Sequence, residues 1–285
     1  HWCYLSQKNE QPSCEDPRHW HTVDAKCKGS KQSPINIVTK NVIYNKNLTP
    51  LHFENYDVKG SSKWKIENNG HTVKVTLSTN PKIGGGGLKR KYKAIEFHLH
   101  WGVQEEQLYF PGSEHSIDGE KQAMEVAMQC SWPSKPGKST WGQGFMQPLA
   151  AGAFEDEQYL QLCFLRTVFC LVCLDTSSWM EPLPLNSLLP PVYELEKYYR
   201  YEGSLTTPDC HETVIWTVFE KPIQLSLLQV SHFSTVHFEG KNSTFMSENF
   251  RPAQFLNGRS VYWSSASSLL PPAKVLLLAL ILPYL

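Results

Sequence analysis

The amino-acid sequence predicts a mainly β (α+β) fold with a mostly antiparallel sheet, and three observations lead to this prediction. Short segments alternate apolar and polar residues, as expected when every second side chain of a strand faces the core. Clusters of Gly, Pro, Asn and Asp separate these segments, as turns separate neighbouring strands. The 9 Trp, 12 Tyr and 13 Phe residues suit a β-rich interior, because aromatic side chains favour strands.

The predicted elements follow from these patterns in chain order. Residues 72–77 are apolar at odd positions, and residues 95–100 and 213–219 predict two further strands. Short peripheral helices are predicted near residues 188–199 and 226–233. Turn-forming clusters lie at Asn68-Asn69-Gly70, at residues 84–87 and at Thr207-Pro208-Asp209.

Composition narrows the classes of partner. The chain has 285 residues, with 27 basic and 27 acidic side chains and a formal net charge of zero. This balance argues against nucleic acid or an anionic membrane surface as the main partner. The one tight basic cluster, at residues 89–93, follows a Gly run and is interpreted as a solvated loop.

Several features indicate the secretory pathway. The eight cysteines are typical of an oxidising compartment. The first residue, His1, is expected to follow a removed signal peptide. Asn47-Leu48-Thr49 and Asn242-Ser243-Thr244 are acceptor sequences for N-glycosylation, although such tripeptides also arise by chance and Pro50 weakens the first.

The last residues have the composition of a glycolipid-anchor signal. Residues 264–268 are small and polar, residues 269–274 form a spacer, and residues 275–285 are apolar without a charge. This order predicts that residues 264–285 are a GPI-anchor signal, removed in the mature protein; the alternative is an ordinary frayed terminus. The apolar part is too short to span a bilayer, which needs about 20 residues.

His98-Leu99-His100 is the sharpest local motif. Residues i and i+2 of a strand share a face, so the two imidazoles stand side by side at a separation that suits one zinc ion. Alone, the motif is weak, because paired strand histidines are often only polar residues of an exposed face.

Five segments strengthen the interpretation of this motif as a zinc site, because their order and spacing are typical of one family. They are Gln32-Ser33-Pro34-Ile35-Asn36-Ile37, Asn68-Asn69-Gly70-His71, Phe97-His98-Leu99-His100-Trp101-Gly102, Gly112-Ser113-Glu114-His115-Ser116-Ile117-Asp118-Gly119 and Gly203-Ser204-Leu205-Thr206-Thr207-Pro208. Over residues 1–127 and about 182–263 they resemble the α-carbonic anhydrases. The resemblance implies one domain over residues 1–263, built on a central, twisted, mostly antiparallel sheet.

The resemblance also implies a reaction, the reversible hydration of CO2 to bicarbonate at a Zn²⁺ ion whose bound water has a pKa of about 7. His98 and His100 would be zinc ligands. Thr206 would bond the zinc hydroxide, and Glu114 would orient it through Thr206. His71 would carry the proton to bulk water, because an unperturbed imidazole titrates near physiological pH.

The remaining expectations from the resemblance concern substrate, disulfides and location. Leu205, Thr206, Thr207 and Trp216 would line the substrate pocket for CO2 and bicarbonate. The cysteine pattern, glycosylation sequences and anchor signal resemble the extracellular, glycolipid-anchored, carbonic anhydrase four-like branch, at the outer face of the plasma membrane. That branch implies the pairs Cys3–Cys14 and Cys27–Cys210, and it leaves the four middle cysteines without assignable partners.

The sequence departs from the family at the third zinc ligand. Ala127 occupies the expected histidine position, and Glu125, which should orient that histidine, is present without this partner. Glu96 replaces a Gln acceptor, and Gln129 replaces an apolar pocket residue. Cys130 has ligand chemistry but should face the opposite side of the strand.

Residues about 128–181 are atypical throughout, and two interpretations follow. Ala127 is either a point loss in a sound domain, or the core strand after it is missing and residues 154–179 are foreign filler. The sequence favours the second, because the mismatch extends far beyond one ligand. The rival to an enzyme is an acatalytic carbonic-anhydrase-related domain that binds a partner at the cell surface.

Overall fold

The computed structural model describes residues 1–9, 11–105, 108–132, 140–152, 177–238 and 244–265. The strands are β1 (Asn36–Ile37), β2 (Ile43–Tyr44), β3 (Leu51–Glu54), β4 (Trp64–Asn68), β5 (Val73–Thr76), β6 (Lys82–Gly85), β7 (Tyr92–Trp101), β8 (Gln104–Glu105), β9 (Leu108–Tyr109), β10 (Ser116–Ile117), β11 (Met124–Trp132), β12 (Thr140–Gly152), β13 (Ser177–Met180), β14 (Tyr198–Gly203), β15 (Val214–Phe219), β16 (Ile223–Ser226) and β17 (Tyr262–Trp263). The helices are α1 (Trp20–Val23) and α2 (Leu227–Ser231), with 3₁₀ turns at Leu5–Gln7, Ala25–Lys28, Thr39–Asn41, Leu185–Leu188, Val192–Glu196 and His232–Thr235.

Within the described residues, thirteen strands form one sheet around which the short helices lie. Its main path runs β13-β4-β5-β7-β11-β12-β15-β14-β17-β2, with β16 beside β12 and with β3 and β6 beside β7. The pairs along this path are antiparallel except β12–β15 and β17–β2, and β12–β16 is also parallel. The predicted mainly β, mostly antiparallel fold is confirmed.

The alternation of β5 and β7 gives the sheet two different faces. Val73, Val75, Phe97 and Leu99 are buried in the larger hydrophobic cluster, which defines the core face. Burying each such side chain contributes about 1.5–3 kcal/mol, so this face fixes the register of both strands. His98, between Phe97 and Leu99, therefore belongs to the opposite face, which we call the pocket face.

The predicted helices are confirmed in one of the two regions. Near residues 226–233, α2 begins with a capping box in which Ser226 and Gln229 bond each other's backbone N–H groups. Near residues 188–199 the chain makes only the 3₁₀ turn Val192–Glu196 before β14. Pro190 and Pro191 fall inside the predicted region, and proline disfavours helical backbone in the residue before it, so no helix runs through them.

Both predicted disulfides are present. Cys3–Cys14 has a Cα–Cα distance of 5.7 Å, and Cys27–Cys210 has one of 4.9 Å across a separation of 183 residues. Among the other cysteines, only Cys130 lies in the described part of the chain, where it is a buried free thiol.

The interpretation that a core strand is missing after Ala127 is wrong. β12 pairs with β11 from Met124↔Leu149 to Trp132↔Thr140, and on its other side it pairs with β15. An extended stretch of this length satisfies the backbone groups of both neighbours, which explains why the atypical sequence still continues the sheet. Trp179 belongs to β13, at one end of the sheet path.

Four sequence expectations fall wholly or mainly outside the described residues. They concern the proposed filler at 154–179, the cysteines at 163, 170 and 173, the glycosylation sequence at 242–244 and the anchor signal beyond residue 265. In the part of the chain that the structure describes, no helix has the length and hydrophobicity to cross a membrane.

Candidate active site

β7 holds the two motif histidines side by side on the pocket face, as predicted. The ring centroids of His98 and His100 are 5.1 Å apart, with the planes at 77°. His100 Nδ1 donates a hydrogen bond to the backbone carbonyl of Asn249 at 2.7 Å. Because a carbonyl can only accept, Nδ1 carries a proton, and in the neutral tautomer of the ring the lone pair is on Nε2.

That lone pair faces Glu114. His100 Nε2 lies 3.4 Å from Glu114 Oε2, and both atoms are buried without a hydrogen-bond partner in the described residues. Glu114 Oε1 accepts the backbone N–H of Arg251 at 2.9 Å. Burial raises the pKa of Glu114, while nearby His100 and hydrogen bonds from Arg251 and Thr206 lower it by less.

A charged network borders His98. Its Nδ1 is 4.0 Å from Glu96 Oε1, and Lys74 Nζ lies 3.8 Å from Glu96 Oε2 and 2.8 Å from Glu67. Burial first, and then the charges of His100 and Lys74, hold the pKa of His98 well below 6.5. Burial also raises the pKa of Glu96, even though Lys74 opposes this. Glu96 therefore lies next to His98, the first histidine of the motif, as expected from the sequence.

Ala127 lies directly across from His98 in the β7–β11 ladder, and Glu125 lies across from His100. Paired residues of antiparallel strands share a face, so the buried Ala127 methyl group points to the same side as the two imidazoles. Nothing in the described residues assembles three or more His, Cys, Asp or Glu side chains that could hold a metal ion. His98 and His100 can serve as two ligands of a zinc site, and Ala127 cannot serve as the third.

Cys130 does not replace the absent ligand. It belongs to the hydrophobic cluster on the core face, whereas Ala127 belongs to the second cluster on the pocket face. Burial raises the pKa of its thiol, which disfavours the thiolate that zinc needs. The prediction that it faces the opposite side is confirmed.

Glu125 has a partner of its own, which the sequence interpretation missed. Its Oε2 accepts the backbone N–H of His115 at 2.8 Å, and its Oε1 lies 3.2 Å from His115 Nδ1. His115 Nε2 is 2.5 Å from the Tyr201 hydroxyl, which donates to Ser33 Oγ at 2.9 Å. Although burial alone would raise the pKa of Glu125, His115 holds it low, so the carboxylate stays charged.

Leu205, Thr206 and Thr207 lie in the loop after β14, and Trp216 lies on β15. Thr206 is buried near Glu114 and lowers the pKa of that carboxyl group, and Leu205 packs against the cluster that contains Ala127 and Trp216. Trp216 Nε1 donates to the carbonyl of Ser204 at 3.0 Å, which fixes the start of the loop. Thr207 lies half-buried in the same loop, and its carbonyl accepts the N–H of Cys210 at 2.9 Å.

His71 stands beside an aromatic cluster. Its ring stacks on Trp2, with centroids 3.9 Å apart and planes at 19°, and it meets Tyr4 edge-on. Burial there lowers the pKa of His71 from 6.5 to about 4. The expectation of an unperturbed imidazole at this position is therefore wrong, because it did not include Trp2.

Two residues that the sequence analysis missed organise the site. Asn249 accepts from the N–H of Trp101 and donates to the carbonyls of His71 and Leu99, so it joins β7 to the turn before β5. Arg251 donates to Gln32 Oε1 and to the carbonyl of Ser33, besides its bond to Glu114. Both lie in an irregular segment whose sequence has no alternation to mark it.

Comparison with known proteins gives consistent matches. The family model for eukaryotic-type carbonic anhydrases matches residues 15–265. Carbonic anhydrase 4 of Rattus norvegicus is 40% identical over 274 residues, covering 94% of this chain and 85% of the relative. Carbonic anhydrase 4 of Oryctolagus cuniculus is 39% identical, covering 95% and 87%, and carbonic anhydrase 15 of Mus musculus is 35% identical, covering 94% and 84%.

Proposed function

Because the chain belongs to the eukaryotic-type carbonic anhydrase family, a family of CO2-hydrating lyases, we propose that its pocket serves that reaction at the extracellular face of the plasma membrane. One observation supports this most: His100 Nε2 and Glu114 Oε2 face each other at 3.4 Å, both buried and without a hydrogen-bond partner in the described residues. Buried polar atoms in this state are costly, so their convergence favours a site that a bound species completes.

The surrounding residues have proposed roles that use their observed contacts. Thr206 lies near Glu114 and lowers its pKa, and its hydroxyl group is the proposed hydrogen-bond partner of a species bound in the pocket. Leu205 and Trp216 supply an apolar wall suited to CO2. His71 is the proposed proton acceptor, and its low pKa makes it a weak one while it is stacked on Trp2.

Zn²⁺ is the proposed cofactor, and His98 and His100 are the residues that would hold it. With Ala127 at the third position, the protein offers two imidazoles, and the affinity must be far below that of a three-histidine site. The residues present therefore do not complete the site.

The second candidate function is an acatalytic binding domain, and Ala127 is the observation that favours it. Both candidate functions use the same pocket. They differ in whether zinc occupies this pocket at the zinc concentrations found in cells. The enzyme predicts hydration activity that rises with added zinc and disappears with a chelator. The binding domain predicts no activity at any zinc concentration.

We expect Ala127→His to raise zinc occupancy to one ion per full-length chain and to increase CO2 hydration by at least about 10–100-fold, since losing even an outer-shell partner of a metal ligand typically costs 10–100-fold. A ligand is restored opposite His98, beside the charged Glu125. Metal content and stopped-flow hydration measure this outcome.

Ala127→Leu is the matched control, because it adds bulk at the same buried position without adding a metal ligand. It should leave zinc occupancy at the parent's level. Equal zinc binding by the parent and Ala127→His would contradict the assignment of position 127. Activity in the parent that depends on added zinc would select the enzyme over the binding domain.

Anchoring and glycosylation are proposed from residues 264–285 and from Asn47 and Asn242. Asn47 is exposed, as an acceptor must be, and Asn242 lies outside the described residues. A phosphatidylinositol-specific phospholipase should release the protein from intact cells, without residues 275–285. A chain that stays bound and retains this peptide is not glycolipid-anchored.

A further inference from the structure

A row of four ionisable side chains runs through the pocket, and both ends of the row are carboxyl groups. Glu96 Oε1 lies 4.0 Å from His98 Nδ1, and the ring centroids of His98 and His100 are 5.1 Å apart. At the inner end, His100 Nε2 lies 3.4 Å from Glu114 Oε2, with the two side chains 1% and 0% exposed. These two buried atoms have no hydrogen-bond partner in the described residues, so a species that joins them must supply the donors.

No cationic side chain of the described residues makes an ion pair with Glu114. Arg251 and Lys121 are close enough for their charges to act on this carboxyl group. However, the guanidinium group of Arg251 donates to Gln32 and to backbone carbonyl groups, and Lys121 Nζ lies over the ring of Phe250 at 3.6 Å. The inner end of the row therefore suits a bound species that carries positive charge as well as donors.

Ala127 weakens the competition from zinc for this place. It lies directly across from His98 and presents a methyl group where a third histidine would hold the ion. Two histidines bind zinc weakly, whereas an organic cation needs hydrogen-bond acceptors and does not need a third ligand. The alanine thus disfavours the metal and leaves His100 and Glu114 able to accept hydrogen bonds.

We propose that the pocket of this chain binds a guanidinium group between His100 Nε2 and Glu114 Oε2. This names a ligand class for the second candidate function, the acatalytic binding domain, and rests on it. A guanidinium group is planar and offers N–H donors from neighbouring nitrogen atoms in a fixed fork, which two acceptors 3.4 Å apart can accept together. The bond to Glu114 is charge-assisted, which is the stronger class of hydrogen bond.

The experiment titrates the full-length chain, dialysed against a chelator, with methylguanidinium and follows the ring nitrogen signals of His100 by NMR. We expect the Nε2 signal to shift and to saturate with a dissociation constant on the order of 1 mM, as for a ligand of so few atoms. Glu114→Gln should weaken binding by about tenfold or more, because a hydrogen bond to a charged group is lost. Glu54→Gln is the matched control, since it removes a surface carboxylate that pairs with lysines, and it should leave the affinity unchanged.

A second variant tests the same place without removing Glu114. Zinc bound to Ala127→His should abolish the shift with methylguanidinium, because the metal takes up the lone pair of His100. This arm decides the proposal if circular dichroism shows that Glu114→Gln does not fold. N-acetyl-arginine amide distinguishes two sources of the group: binding at least as tight as that of methylguanidinium assigns it to an arginine side chain of a partner protein, and no binding assigns it to a free small molecule.

The contrary results are specific. An equal shift with methylammonium, or an unchanged affinity in folded Glu114→Gln, overturns the guanidinium site. A zinc-free parent that gives no shift with methylguanidinium overturns it too, and leaves the acatalytic binding domain standing with another ligand. A parent that is purified with zinc and hydrates CO2 overturns both this inference and the second candidate function.

Discussion

At the residue scale, the pocket depends on several residues that no local sequence pattern identifies. His98 and His100 are visible in the sequence because a strand places alternate residues on one face. Ala127 is visible only because the family expects histidine there. Trp2 and Asn249 are 69 and 149 positions from His71 and His100 respectively, and no local pattern predicts those contacts. The properties of the histidines are therefore set by distant residues.

We expect Trp2→Ala to raise the pKa of His71 from about 4 toward 6.5, because the stacked indole keeps water away from the imidazole. The lowered pKa also means that His71 favours folding above pH 6.5 and loses this contribution as the pH falls toward 4. Titration of the histidine ring signals by NMR measures the change.

Trp2→Phe is the control for this titration, because it retains an aromatic ring over His71 and should give a smaller rise. A His71→Gln variant identifies the signal. An unchanged pKa in Trp2→Ala would show that other neighbours, such as Tyr4, keep the ring dry.

At the element scale, strands with clear alternation could be predicted, and strands without it could not. The three alternating segments became β5, β7 and β15, because burial of one face decides their register. β12 contains three Gly, one Pro and no alternation, so sequence reasoning placed a gap there. Pairing with β11 on one side and β15 on the other makes it a strand, and such long-range pairing leaves no local signature.

We expect Phe145→Pro to prevent folding, because residue 145 pairs with Met128 on one side and Thr217 on the other. Proline removes a ladder hydrogen bond and is found essentially only at sheet edges, strand starts or bulges; Pro148 of β12 lies between the residues that pair with β15 and those that pair with β16. Ser177→Pro is the matched control, since Ser177 begins β13 at the end of the sheet path. Circular dichroism and thermal unfolding compare the two, and a folded Phe145→Pro protein would mean that β12 is not a central strand.

At the scale of the whole molecule, the pocket is assembled where distant parts of the chain meet. The second disulfide joins the N-terminal segment to the loop that carries Thr206. Around it, Gln32 donates to the carbonyl of Cys210 at 3.2 Å, and Arg251 donates to the carbonyl of Cys27 at 3.2 Å. This arrangement followed from the family resemblance, whereas eight cysteines alone allow many pairings. The covalent link and the hydrogen bonds support the same loop.

Replacing Cys27 and Cys210 together by Ser should lower the free energy of unfolding by about 5 kcal/mol, because a crosslink over 183 residues removes much of the entropy of the unfolded chain. The matched control replaces Cys3 and Cys14, whose separation of 11 residues predicts a smaller loss of about 3 kcal/mol. Urea unfolding measures both, and the Cys27 and Cys210 variant should also loosen the Thr206 loop, seen as faster amide exchange at residues 204–211. Equal losses for the two variants, or an unchanged loop, would mean that hydrogen bonds from Gln32 and Arg251 hold this region without the disulfide.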